Sequence, residues 1–98
     1  MPAVTEEQVE LARDLIAAVP PGSVTTYGDV AAADGLSSPR LTAWVLRTDG
    51  HDLPWWRVIA ASGRPSVKPP ERQLDRLRDE GVPIVDGRVL LRECRYAF

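Results

Sequence analysis

One cysteine, one histidine and one phenylalanine stand among 98 residues, and no apolar run approaches the ~20 residues that a membrane span needs. Each scarcity removes a class of function. Cys94 alone closes no internal disulfide, and with the single His51 it makes no multi-cysteine zinc site, so neither a metal nor a cofactor is expected. The acidic opening MPAVTEEQVE lacks the basic flank and apolar stretch of a secretory leader, so the expectation is a cytoplasmic chain with no membrane role. The 44% hydrophobic and 27% charged content suits one globular domain over residues 1–98, with no room for a second core.

Charge of one sign is also missing overall, since fourteen acidic and twelve basic residues leave a net charge of −2. That balance excludes a nucleic-acid binder that works by bulk charge. The distribution is uneven, however. In residues 1–36 Glu6, Glu7, Glu10, Asp14, Asp29 and Asp34 face only Arg13, whereas in residues 37–68 Arg40, Arg47, Arg57, Arg64 and Lys68 face only Asp49 and Asp52. A polyanion would dock on this middle third. Eleven of the twelve basic residues are arginines, whose planar fork suits phosphates and stacks on bases.

What remains is largely helical. Thr5 and Gln8 have the spacing of a capping box, and Val9, Ala12, Leu15, Ile16 and Val19 recur at helical period until Pro20-Pro21-Gly22. The polar stretch Ser23 to Thr26 leads into a second helix over Tyr27 to Asp34, stopped by Gly35. Ser37 or Ser38 caps a third, with Pro39 at its first position and Leu41, Trp44 and Val45 inward, running to Asp49-Gly50. Two short helices about a tight turn, over about 27–49, read as helix-turn-helix. His51 to Ala61 reads as a loop entering a short strand, Ser62 to Pro70 as a loop, and Pro70 to Glu80 as a charged helix with Leu74 and Leu77 inward. A hairpin on Asp86-Gly87, over about 84–91, then supplies a wing. The expected fold is mainly α: a single winged helix-turn-helix-like domain with a short C-terminal β-hairpin.

Three segments occur in a telling order: Pro21-Gly22-Ser23-Val24-Thr25-Thr26-Tyr27-Gly28, then Pro39-Arg40 opening a helix, then Leu53-Pro54-Trp55-Trp56-Arg57-Val58-Ile59. Over roughly residues 5–82 they resemble the DNA-binding and active-site domain of the alkylguanine-DNA alkyltransferases. The resemblance implies that the family's reactive cysteine is replaced by Trp55 and its activating histidine by Trp56. An indole offers no soft nucleophile to accept an alkyl group, so no catalytic residue and no enzymatic transfer are expected. The family's glutamate is matched by Glu80, whereas its asparagine is replaced by Asp49. Tryptophan for cysteine makes the chain most similar to the alkyltransferase-like proteins, a group of lesion sensors.

That resemblance implies a mechanism. Double-stranded DNA containing O6-alkylguanine is bound through the minor groove by a monomer, the lesion rotates into a tryptophan-lined pocket, and nucleotide excision repair proteins follow. Arg40 fills the vacated stack, Tyr27 presses on the phosphate of the rotated nucleotide, and Trp55 contacts the adduct. Trp56, Arg57, Ser62 and Gly63 complete the DNA and lesion set, with Ser62 and Gly63 as pocket wall. Thr25, Thr26, Ser38, Thr42 and Arg47 are candidates for the DNA backbone.

Read without the motifs, the same residues are plainer. Tyr27 is then a half-buried packing residue, Arg40 a solvated one paired with a carboxylate, Trp56 a structural aromatic, and Arg57 the holder of its loop through a salt bridge. Arg92 and Arg95 flank Cys94 and would lower its pKa, though no partner for catalysis accompanies it. The alternative is thus a winged-helix DNA-binding or protein-interaction module that has lost the pocket.

Overall fold

The computed structural model describes residues 4–98. Helix α1 (Glu6–Ala18) begins at a complete capping box: Thr5 Oγ1 accepts from the Gln8 backbone N–H at 3.1 Å, and Gln8 Oε1 accepts from that of Thr5 at 3.0 Å. Helix α2 (Tyr27–Asp34) is capped by Thr26 and ends on Gly35 in the left-handed region, φ 69°. Helix α3 (Pro39–Asp49) starts at Ser38, whose hydroxyl accepts from the Arg40 N–H at 3.1 Å. Helix α4 (Glu71–Asp79) turns Leu74 and Leu77 inward as their spacing requires. The hairpin pairs β3 (Ile84–Val85) with β4 (Arg88–Val89), and positive φ at both Asp86 (53°) and Gly87 (73°) is what its two-residue turn demands.

Two segments differ from expectation. The stretch Ser23 to Thr26 does not merely lead into a helix: Thr25–Thr26 forms strand β1, parallel to β2 (Val58–Ile59), with Thr25 opposite Val58 and Thr26 opposite Ile59. Leu91 does not extend the hairpin but opens a single helical turn, α5 (Leu91–Cys94), after which Tyr96 donates its N–H to Val24 O at 2.8 Å. Chain pairings between residues so far apart in sequence leave no local pattern in either partner.

Strand β2 is the seam of the interior. Its neighbouring side chains point to opposite faces, so Val58 packs with Ala12, Ile16, Val30, Val45 and Leu53, whereas Ile59 packs with Val24, Leu77, Val82, Val89 and Cys94. Helix α4 is pinned across this seam by Gln73, a buried amide whose Nε2 donates to Trp56 O at 2.9 Å and Val58 O at 2.8 Å.

Gly63 is not a pocket wall. Its carbonyl accepts from the Val89 N–H at 2.8 Å, φ is 83°, and a Cβ there would run into the carbonyl oxygen of Val89. Gly63→Ala is therefore expected to cost more than about 1 kcal/mol. Thermal unfolding should register this as a midpoint at least ~4 °C lower.

Candidate nucleic-acid interface

The turn between α2 and α3 is held by a hydroxyl: Thr42 Oγ1 donates to Tyr27 O at 3.0 Å, fixing the third helix against the start of the second. This places Arg40 in the exposed first turn of α3, where no carboxylate among the described residues pairs with it. The plainer reading of Arg40, a solvated residue paired with a carboxylate, is thereby disfavoured. The same bond removes Thr42 from the DNA-backbone candidates, since the residue is fully buried. Thr25 and Thr26 leave that set too: both are buried in β1, and the Thr26 hydroxyl is occupied by the Asp29 N–H at 3.0 Å. Ser38 caps α3 with its hydroxyl.

Beside α3 lies an open hollow of about 490 Å³, within the size range of small-ligand sites. Ala43, Leu46, Arg47 and Gly50 supply one side from a single helix face, as their spacing dictates, and His51 follows. Tyr27, Trp55, Ser66, Val67 and Arg72 complete the lining. The Tyr27 and Ser66 hydroxyls are hydrogen-bonded at 2.7 Å, linking the first residue of α2 to the 62–70 loop. Arg47 thus borders the hollow.

Trp55 is presented by a 3-10 turn, Trp55–Arg57, in which Pro54 O accepts from the Arg57 N–H at 3.0 Å. The two indoles meet edge to face, centroids 5.8 Å apart at 89°, so they point in different directions. Trp56 turns away from the hollow and into the second core cluster, where its Nε1 donates to Glu80 Oε2 at 2.9 Å. Arg57 also turns away: Nη2 reaches Glu80 Oε2 at 2.7 Å, Nε reaches Oε1 at 3.0 Å, and Nη1 donates to Val19 O at 3.0 Å. The Arg57 hydrogen bonds, reinforced by the Trp56 indole, hold the Glu80 carboxyl below the usual carboxylate range despite partial burial. Trp56 and Arg57 are therefore supports of the turn and not part of the lining.

The loop wall is likewise shifted along the chain. Because Gly63 is anchored to β4, the loop reaches the hollow only at Ser66 and Val67, and neither Ser62 nor Gly63 lines it. The helical spacing of 43, 46, 47 and 50 carried a readable signal for one wall. Ser66, Val67 and Arg72 had none, because their places depend on how the loop and α4 close over Trp55.

Cys94 is buried, and its thiol donates to Leu90 O at 3.4 Å. Burial, with Glu93 beside it, pushes its pKa up, the reverse of the lowering expected from flanking arginines. Arg95 is committed instead to Asp29 through contacts of 2.7 and 2.8 Å. No helix among the described residues is long and apolar enough to cross a membrane.

A capped helix presented across a tight turn, a C-terminal hairpin, and a hollow walled by a tyrosine and an unreactive indole define a small domain of the winged helix-turn-helix class. The family described as 6-O-methylguanine DNA methyltransferase, DNA binding domain, matches residues 9–82. The DNA base-flipping protein of Escherichia coli K12 is 39% identical over 92 residues, spanning 86% of this chain and 70% of that one. Alkyltransferase-like protein 1 of Schizosaccharomyces pombe is 35% identical over 78 residues, 72% of each chain. The crystal structure of S. pombe Atl1 in complex with damaged DNA containing O6-carboxymethylguanine superposes with a TM-score of 0.83 at 28% identity, covering 96% of this chain and 98% of that one. The chain belongs to the alkyltransferase-like family.

Proposed function

We propose that this chain is a non-enzymatic sensor of alkylated DNA. It binds duplex through the minor groove with α3, rotates O6-alkylguanine into the hollow between Tyr27 and Trp55, and leaves the lesion marked for nucleotide excision repair. In this reading it acts as a monomer. The observation that carries the reading is the open hollow of about 490 Å³ with Trp55 on its wall, the residue that by resemblance replaces the alkyltransferase nucleophile.

Each residue supports a step. A guanine alkylated on O6 pairs weakly, which reduces the few kcal/mol that extrusion costs. The exposed, unpaired guanidinium of Arg40 sits at the tip of α3, free to enter the stack and bond the orphaned base. The Tyr27 ring lies where α2 begins and can brace the rotated nucleotide. Trp55 offers the adduct a flat apolar wall and no nucleophile to accept the alkyl group. The reading in which a second indole fills the pocket is disfavoured, because Trp56 is bonded to Glu80 on the far side of the turn.

Titration of duplexes that differ only in one O6-methylguanine tests the proposal. Tighter binding of the modified duplex is expected, and equal affinity for the two would reject it. Mass spectrometry of the protein after incubation with the same duplex should reveal no gain of an alkyl group, at Cys94 or elsewhere. Cys94→Ser should bind the modified duplex as the unchanged protein does, because this buried thiol lies in the second core cluster and not on the hollow; loss of binding would show that Cys94 takes part.

A further inference from the structure

The charges around the hollow are segregated. Of the six carboxylates on α3, the turn after it and the α4 segment, five are already engaged, and the sixth, Asp79, does not line the hollow. Asp49 and Asp52 hold Arg13, at 3.6 and 2.6 Å; Glu71 and Asp75 hold Arg78, at 2.7 and 3.0 Å; Glu80 holds Arg57. The cations that face the hollow are left over. Arg47 and Arg72 line it, both exposed, and among the described residues neither has an ion-pair partner. Arg72 is held over the Trp55 ring, 5.8 Å from its centroid. Arg76 stands at the same distance from that ring and 4.4 Å from Trp56. No acidic side chain belongs to the lining.

We infer that the hollow selects O6-alkyl adducts whose far end carries a carboxylate. The inference rests on the lesion-binding reading above and names the class of adduct that this site prefers. Ala43, Leu46, Val67 and the Trp55 indole give apolar contact to the methylene next to O6. Arg47 and Arg72 border the same hollow, and a guanidinium carries N–H donors in the fork geometry that matches a carboxylate. Because the hollow is open to water, the carboxylate keeps part of its hydration and the desolvation cost stays small. A neutral isostere of equal size gains the apolar contacts alone.

The test uses four duplexes of one sequence, carrying guanine, O6-methylguanine, O6-carboxymethylguanine or its uncharged amide, O6-carbamoylmethylguanine. The unchanged protein is expected to bind the carboxymethyl duplex about tenfold more tightly than the amide. In Arg72→Gln and in Arg47→Gln that ratio should fall toward one. Two results overturn the inference: a ratio near one in the unchanged protein, or variants that weaken all four duplexes by one factor and keep the ratio, which would assign the guanidinium groups to DNA phosphates. Equal binding of guanine and O6-methylguanine would instead remove the lesion-binding reading itself, and this inference with it.

Discussion

Glu80→Ala is expected to lower the folding stability by about 2–3 kcal/mol, because it leaves a largely buried guanidinium without its counter-charge. The Arg57 and Glu80 side chains are only 13% and 15% exposed, and the carboxylate also accepts from the Trp56 indole. Against a total of about 5–15 kcal/mol for a domain of this kind, the loss is a large fraction. Urea midpoints measure it directly. Replacing both partners with apolar residues of similar volume, as in Arg57→Met with Glu80→Leu, should cost less than Glu80→Ala alone.

The same pair gives stability an acid-sensitive component. Glu80 has a lower pKa folded than unfolded, so its contribution is complete above the unfolded carboxylate value, about 4.3, and drains away as pH falls through the folded value. Asp29 and Asp52, with carboxyls also lowered by arginine partners, add to the acid sensitivity of the whole protein. The difference between the unchanged protein and Glu80→Gln isolates the Glu80 part: it should be constant at neutral pH and shrink on acidification. A difference independent of pH would mean that the carboxylate charge is not what holds the turn.

Trp55→Ala is expected to weaken binding of an O6-methylguanine duplex by roughly 30- to 1,000-fold, corresponding to the ~2–4 kcal/mol of a buried aromatic anchor. Binding of unmodified duplex, which leaves the hollow empty, should change by less than about threefold. Trp56→Phe provides the contrast. It keeps the packing of the second cluster but loses the hydrogen bond to Glu80, so it should reduce stability by about 1 kcal/mol and change lesion discrimination much less than Trp55→Ala does. If the two variants discriminated alike, the assignment of opposite roles to the adjacent indoles would be wrong.

That contrast also marks how far the chain could be read as a string. Helices announce themselves by caps and period, and here the Thr5–Gln8 box, Gly35, Ser38-Pro39 and the Asp86-Gly87 turn each do in the fold what their chemistry requires. Gln73 carried no such mark. A glutamine in a charged helix ordinarily faces water, and only the proximity of two carbonyls, Trp56 O and Val58 O, makes it an internal brace.

The candidate site divides along the same line. Residue identity alone was enough for the argument that Trp55 cannot accept an alkyl group, because nucleophilicity is a property of the side chain and needs no neighbours. It was also enough to place a basic middle third and an arginine at the start of a helix. Which indole faces the hollow, which loop residues wall it, and which arginines are left without a carboxylate were settled by folding. Each depends on distances between segments that are remote in sequence: Glu80 reaching back to Trp56 and Arg57, β4 catching Gly63, and Arg13 and Arg78 drawing the acids away from the cavity. Local chemistry is written residue by residue, whereas burial and pairing exist only once the chain has closed on itself.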